Sequence, residues 1–197
     1  FFFFFAKLVK GIDIRQVGSG NPGATNVTRV MGKPYGIVVF ILDMLKGFFP
    51  VFIFDHYFAG HEHYLSLIFC GVSVICGHTF PLFLGFKGGK AAATSCGVFL
   101  WLAPLPLIIS AAAWLLVVSL SRYISLGSML GSIVLVICLI ILGKDPFGQG
   151  LSLTIFSVFI SALLIVRHKS NIKRLLNGTE SKIGGKIKAG ISTTSKV

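Results

Sequence analysis

Long apolar stretches alternate with short polar segments along this chain. A helix that crosses a bilayer needs about 20 predominantly apolar residues, and most of the stretches approach that length. This pattern predicts a protein whose helices cross a membrane several times. The apolar stretches lie at 35–54, 64–84, 91–120, 127–142 and 151–166.

The longest apolar stretch, 91–120, is interrupted by Pro104 and Pro106. A single helix there would place the basic residues after Arg167 on the opposite side of the membrane from the basic segment 7–33. Lys and Arg concentrate on the cytoplasmic side of membrane proteins, and prolines supply a turn. We therefore predict two helices within 91–120, which gives six crossings and places Lys87, Lys90, Arg122 and the basic residues after Arg167 at the cytoplasmic face with 7–33.

The chain begins with five phenylalanines, Phe1 to Phe5, instead of Met. Five apolar residues are too few to span a bilayer. We expect them to be the end of a first helix that is truncated or altered here. The prediction is therefore an all-α polytopic bundle of about seven transmembrane helices.

Composition agrees with a membrane protein. Of the 197 residues, 54% are hydrophobic and only 12% are charged, whereas soluble domains carry about 25% charged residues. The net charge is +12, and the basic residues flank the apolar stretches. We therefore expect them to contact anionic lipid and an anionic ligand rather than nucleic acid. We predict one transmembrane domain over 1–178 and a basic, mobile tail over 179–197.

Metal-dependent chemistry is disfavoured because the chain has only six acidic residues, and two-metal sites need several converging carboxylates. The four cysteines lie inside apolar stretches and are expected to be small buried hydrophobes. A cluster in the loop between the first two apolar stretches looks metal-like but is far from the glycine-rich segments, so we predict no metal site. Its members are His56, His61, Glu62 and His63.

Residues 18–29, GSGNPGATNVTR, form the first of three polar segments. Glycine permits positive φ angles, so that backbone N–H groups can converge on an anion. Ser19 and Asn21 add neutral donors, and Arg29 adds a planar cation suited to phosphate or carboxylate. A serine-hydrolase site is a weak alternative, because Ser19 is not part of a G-x-S-x-G turn.

The second polar segment, 85–90, reads GFKGGK. It resembles a nucleotide-binding P-loop but fails that spacing by one residue, and Ala91 replaces the hydroxyl that would hold magnesium. ATP hydrolysis is therefore not expected, although a glycine turn with Lys87 and Lys90 remains suited to phosphate. An ordinary basic loop between two helices would not require the Gly88-Gly89 pair, so the pair favours a phosphate-binding loop.

The third polar segment, 167–171, directly follows the last apolar stretch. His168 and Asn171 are three residues apart and so share a helix face. His168 is a candidate general base or a charged hydrogen-bond donor to phosphate. A purely structural role for this histidine is an equal alternative. Asp43 and Lys46 have the same spacing inside the first long apolar stretch, where we expect a buried ion pair that braces the site.

Three long motifs, in order, resemble the bacterial acyl-phosphate:glycerol-3-phosphate acyltransferase (PlsY) family. They are GSGNPGATN with Arg29, GHTFP running into FLGFKGGK, and RHKSNIKRLLNGTE, with DMLKG as a further patch. The resemblance covers about residues 11–184. The chain departs from the family at Ala91-Ala92, where Gly-Val is common.

The resemblance implies transfer of a fatty acyl group from acyl phosphate, not acyl-CoA, to the 1-hydroxyl of glycerol 3-phosphate in the bacterial inner membrane. It implies no cofactor, and a functional link to the enzyme that forms acyl phosphate. The alternative classes are an anion transporter and a membrane phosphotransferase. The base, His168 or a substrate phosphate, stays open.

The resemblance also assigns roles to residues. Catalytic roles fall on Ser19, Arg29, His168 and Asn171. Substrate-binding roles fall on Gly18, Gly20, Asn21, Gly23, Thr25, Asn26, Lys87, Gly88, Gly89, Lys90 and Ser128. Structural roles fall on Asp43, Lys46 and Glu180.

Overall fold

The structure is a computed structural model that describes residues 11–58 and 63–184. Within these residues all regular structure is helical, which confirms the predicted all-α fold. The α-helices are α1 (Ala24–Met31), α2 (Lys33–Tyr57), α3 (His63–Thr79), α4 (Ala92–Leu102), α5 (Pro104–Ser121), α6 (Ile124–Leu142), α7 (Leu151–Arg167) and α8 (Lys169–Leu176), and a 3₁₀ turn spans Leu82–Leu84.

Four described segments are long and apolar enough to cross a membrane, and α7 with α8 makes a fifth if this pair, bent by 56°, is counted as one span. The four are Lys33–Tyr57, Tyr64–Leu84, Pro104–Ser121 and Ile124–Leu142. Helix α4 has 11 residues, so it is about 16 Å long, which is half the thickness of a bilayer core. The predicted Phe1–Phe5 helix lies outside the described residues, as do His61 and Glu62.

The predicted division of 91–120 into two helices is confirmed. Ala103 lies between α4 and α5 with extended φ and ψ of −153° and 67°. A residue before proline is disfavoured in the helical conformation, whereas Pro104 fits the first position of the next helix. The proline therefore ends one helix and begins another at the same point.

The interior of the bundle is small, apolar and tightly packed. Val51, Ile75, Val98 and Phe99 are fully buried, and the rings of Phe99 and Phe156 stack with centroids 5.2 Å apart. Many other large apolar side chains on the same helices remain exposed. Such exposed apolar surface is normal where lipid, not water, surrounds a helix.

Helices α2 and α4 pack backbone against backbone through two glycines. A Cβ atom at Gly47 would overlap the carbonyl oxygen of Thr94, and a Cβ at Gly97 would overlap that of Met44. Small residues allow this close approach between helices in membranes. The contact fixes α2, which carries Asp43, against α4, which begins immediately after the second polar segment.

We predict that Gly97→Ala destabilises the bundle by about 1–3 kcal/mol, because the added methyl group forces two helix backbones apart. Gly77→Ala is the matched control, since nothing lies within 4 Å of a Cβ at that helical glycine, and it should be neutral or stabilising by up to about 1 kcal/mol. Thermal unfolding in detergent micelles measures both. Equal midpoints for the two variants would contradict the packing argument.

Candidate active site

The first polar segment is organised by Asn26, which is 1% exposed. Its Nδ2 donates to the carbonyls of Ile14 and Val17 at 3.1 and 3.0 Å, and its Oδ1 accepts the N–H of Ser19 at 2.8 Å. A Cβ at Gly18 would overlap that Oδ1. The side chain of Asn26 is thus fully used in holding the loop, while its predicted substrate contact remains a prediction.

Glycine conformations shape the same loop. Gly18 and Gly20 have φ angles of +64° and +69°, a region that favours glycine. The N–H of Gly23 donates to Asn21 Oδ1 at 2.9 Å, and Gly23 precedes α1, whose first turn contains Thr25. The result leaves the side chain of Ser19 exposed at the surface of the loop.

A cleft lies between residues 13–20 and Lys87 of the second polar segment. Its volume is about 380 Å³, and it is lined by Asp13, Arg15, Gln16, Gly20 and Lys87. The side chain of Lys87 is exposed, so its ammonium group is available to a ligand in this cleft.

Both peptide N–H groups and both carbonyls of the Gly88-Gly89 pair are hydrogen-bonded within the protein. The N–H of Gly88 donates to the carbonyl of Thr79 and that of Gly89 to the carbonyl of His78, at 3.2 and 3.3 Å. Their carbonyls accept Arg167 Nη2 at 3.0 and 3.2 Å. These N–H groups are therefore not free to bind phosphate, and the pair shapes the loop while lysine side chains remain for a ligand.

The loop then turns through an unusual residue. Ala91 is fully buried and has a φ of +67°, a left-handed conformation that costs an L-residue about 1–2 kcal/mol. This is the position where the resembled family commonly has glycine. This chain therefore has alanine in a backbone conformation that favours glycine.

The third segment converges on a buried carboxylate, Glu180, which is 6% exposed. Its Oε1 accepts Asn171 Nδ2 at 2.8 Å and Ser125 Oγ at 3.1 Å, and its Oε2 accepts Arg174 Nε at 2.7 Å. Arg29 Nη2 lies 3.5 Å from Oε1. Burial alone would raise the pKa of Glu180, but the bonds from Arg174, Asn171 and Ser125 lower it, so the carboxylate is ionised at neutral pH.

Asn171 links Lys90 of the second segment to this carboxylate. Its Oδ1 contacts Lys90 Nζ, and its Nδ2 donates to Glu180. Burial, followed by repulsion from Arg174, lowers the pKa of Lys90 to about 8. The ammonium group is still mostly protonated at pH 7. Several cations therefore surround the single carboxylate of Glu180, and this surplus of positive charge is suited to a phosphate-bearing ligand.

His168 lies in the bend between α7 and α8 and is 4% exposed. Its Nδ1 lies 2.8 Å from the carbonyl of Leu164, and a carbonyl only accepts, so Nδ1 carries the proton. Burial, with repulsion from Lys90, lowers the pKa of His168 to about 4. The ring is therefore neutral at pH 7, and its Nε2 carries a lone pair that can accept a proton or hydrogen bond.

Two further sets of predicted residues, Ser128 and the Asp43–Lys46 pair, have contacts of their own. Ser128 Oγ donates to the carbonyl of Ile124 in its own helix at 3.0 Å. Lys46 Nζ contacts Asp43 Oδ1, and Asp43 is 2% exposed. The ion pair forms as predicted, but the Lys46 side chain is 38% exposed, so only the Asp43 end is buried. Its role as a brace stays a prediction.

Sequence reasoning missed several residues that hold the site. Ser125 and Arg174 contact Glu180, and Arg167 holds the Gly88-Gly89 pair. A signal existed for the arginines, because Arg167 ends α7 and Arg174 lies in the basic stretch that follows it. No signal distinguished Ser125 from Ser128 on the same helix.

Residues 179–184, the first part of the predicted mobile tail, lie against the bundle. The N–H of Ile183 donates to the carbonyl of Arg122, and Arg122 Nη2 donates to the carbonyl of Ile183, both at 2.8 Å. Lys182 Nζ lies 5.5 Å from the centre of the Tyr123 ring. Residues 185–197 lie outside the described part of the chain.

The fold and site define a polytopic helical membrane protein in which three polar segments contribute to a cation-rich, partly buried cluster. The sequence profile described as glycerol-3-phosphate acyltransferase matches residues 1–178. The chain belongs to this family.

Relatives of known description agree. A glycerol-3-phosphate acyltransferase of Thermoanaerobacter sp. (strain X514) is 45% identical over 184 residues, which cover 93% of this chain and 88% of that relative. One of Aquifex aeolicus is 44% identical over 177 residues, covering 90% and 88% of the two chains.

The fold is also similar to that of a solved protein, PlsY, described as an integral membrane glycerol 3-phosphate acyltransferase. Its glycerol 3-phosphate form has a TM-score of 0.83 and 42% identity, covering 92% of this chain and 86% of that chain. Its lysophosphatidic acid form has a TM-score of 0.81 and 41% identity, covering 92% and 87%.

We predict that the protein loses stability as the pH falls from 7 to 5, partly through His168. Its pKa is about 4 when folded and about 6.5 when unfolded, so in this window the unfolded chain binds more protons. The stabilisation is present above pH 6.5 and is lost on acidification, by at most roughly 1.4 kcal/mol per pH unit.

Thermal unfolding between pH 7 and 5 measures this dependence. His168→Asn should flatten it, because Asn does not titrate. His56→Asn is the comparison variant, since His56 is exposed and lies in the last turn of α2. An unchanged pH dependence in His168→Asn would show that this ring does not titrate as described.

Proposed function

We propose that this protein transfers a fatty acyl group from acyl phosphate to the 1-hydroxyl of glycerol 3-phosphate, giving lysophosphatidic acid and phosphate. The observation that carries the proposal is the cluster of Arg29, Lys90 and Arg174 around Asn171 and one buried carboxylate. Both substrates bring phosphate, so cations are the groups this chemistry requires. The descriptions of the relatives and of PlsY support the acceptor and the product.

In the proposed reaction the hydroxyl oxygen of glycerol 3-phosphate attacks the acyl carbonyl carbon. A new carbon–oxygen bond forms, the bond from the acyl carbon to the phosphate oxygen breaks, and phosphate leaves with that electron pair. Because acyl phosphate is already activated, the step requires neither ATP nor a covalent acyl-enzyme.

His168 orients the attacking hydroxyl, which donates to the unprotonated Nε2. With a pKa of about 4, the ring holds a proton poorly at neutral pH, whereas the oxygen of the departing phosphate takes the electron pair of the broken bond and becomes strongly basic. The hydroxyl proton therefore ends on the phosphate that is released, and His168 acts in positioning and polarising the hydroxyl.

In this proposal different basic residues bind the two substrates. Arg29 and Lys90 bind the phosphate of glycerol 3-phosphate, which lies beside Asn171. Ser19, on the exposed surface of the first loop, donates to the acyl carbonyl or to the leaving phosphate. Lys87 faces the cleft opposite Gly20 and adds positive charge where the acyl phosphate head group enters.

The site lies at the cytoplasmic face of the bacterial inner membrane in this proposal. The positive-inside argument places all three polar segments there, where a water-soluble acceptor is available. The acyl chain of the donor remains in the lipid beside the exposed apolar helix surfaces. An enzyme that forms acyl phosphate would supply the donor at the same membrane.

Ser19→Ala should reduce kcat/KM by about 10²- to 10³-fold, the cost of losing one donor to a developing negative charge. The fold should remain, because Asn26 holds the loop through the N–H of Ser19 and not through the hydroxyl. Ser73→Ala is the control, since Ser73 Oγ is exposed and bonds within its own helix. Undiminished turnover by Ser19→Ala would refute the assignment of Ser19.

The donor is tested with purified protein in lipid, glycerol 3-phosphate, a chelator and either acyl phosphate or acyl-CoA. Lysophosphatidic acid should form from acyl phosphate alone. Product from acyl-CoA alone, or a requirement for added divalent metal, would contradict the proposed reaction.

A further inference from the structure

His78 lies between helix α2 and the second polar segment. It belongs to the last turn of α3, and its side chain is 8% exposed. Its Nδ1 lies 3.3 Å from Oδ1 of Asp43, a carboxylate that is itself 2% exposed. The imidazole therefore lies against a buried carboxylate on one side.

The other side of the imidazole forms the surface on which Gly89 packs. The three nearest atoms to a Cβ at Gly89 all belong to this ring, and the methyl group would overlap Nε2. Gly88 differs, because a Cβ there would overlap backbone oxygen atoms and Pro81. The ring of His78 thus limits how far Gly89 can move toward α3.

Gly89 is covalently joined to Lys90, so its position determines where the lysine side chain begins. The carbonyl of Gly89 accepts Arg167 Nη2 at 3.2 Å, and its N–H donates to the carbonyl of His78 at 3.3 Å. Lys90 Nζ in turn contacts Asn171 Oδ1. A contiguous series of contacts therefore runs from Asp43 through His78 and Gly89 to the anion site.

We propose that His78, oriented by Asp43, is a positioning residue that sets the place of Lys90 and thereby controls the binding of glycerol 3-phosphate. The proposal rests on the proposed function, since it assigns the phosphate of that substrate to Lys90. His78 touches no substrate and exchanges no proton with it. Its effect is on the binding of the acceptor, not on the affinity for the acyl donor.

The kinetic test uses His78→Ala, for which we expect the KM for glycerol 3-phosphate to rise about tenfold or more, because displacing a binding group by about 1 Å can cost up to a hundredfold. The KM for acyl phosphate should change little. His56→Ala is the matched control and should leave both values unchanged. A His78→Ala enzyme with an unchanged KM for glycerol 3-phosphate, or with equal losses for both substrates, would overturn the proposal.

A second test asks whether the ring and Gly89 meet directly. Gly89→Ala should lose activity or fail to fold, because its methyl group overlaps the imidazole. The double variant His78→Ala/Gly89→Ala should then be more active, or better folded, than Gly89→Ala alone. His78→Ala should not rescue Gly88→Ala, whose methyl group meets backbone. Absence of rescue at Gly89, or equal rescue at both glycines, would overturn the proposal.

The same four proteins of the Gly89 cycle (wild type, the two single variants and the double variant) are compared by thermal unfolding without substrate. Wild-type protein that makes no lysophosphatidic acid would refute the proposed function. The unfolding midpoints would still decide the packing inference: non-additive midpoints support the contact between His78 and Gly89, and additive midpoints overturn it.

Discussion

The site depends on one buried carboxylate. Glu180 accepts hydrogen bonds from three side chains on α6 and α8 and lies near Arg29 of α1. Removing one partner of a buried ion pair is strongly destabilising, because the remaining charge has no compensation. Here the cations outnumber the carboxylate, so the carboxylate holds them together while leaving positive charge for a ligand.

Two features of the fold bring distant segments to this carboxylate. The bend of 56° between α7 and α8 places Asn171 where it bonds Glu180 through Nδ2 and meets Lys90 through Oδ1. The glycine contact between α2 and α4 holds α4, which follows the second polar segment, against α2. The bundle thus supplies rigidity, and the polar segments supply the chemistry.

Much of this arrangement follows from local sequence rules, because helix ends and glycine turns depend on neighbouring residues. The proline boundary at Pro104 and the left-handed glycines of the first loop are examples. Rules of this kind do not report which way a polar side chain points. Asn26 looks like a ligand donor in the sequence, yet the loop folds over it and uses both ends of its amide.

Tertiary contacts decide the remainder. Ser125 and Ser128 are indistinguishable by type, and only the rotation of α6 shows that Ser125 faces Glu180. Composition did not show that Glu180 is buried or that Arg122 bonds Ile183, and the mobility predicted for residues from 179 onward stays a prediction. The roles of the predicted site residues remain proposals that await kinetic measurement.

Hydrogen–deuterium exchange of Glu180→Gln, compared with wild type in detergent micelles, tests most directly whether one carboxylate holds the three polar segments as one site. We expect faster exchange in 18–31, 85–91 and 167–178 together, because the cations lose their shared partner. Exchange in α5, which does not contribute to the site, should be unchanged. Faster exchange confined to the residues around position 180 would contradict the account.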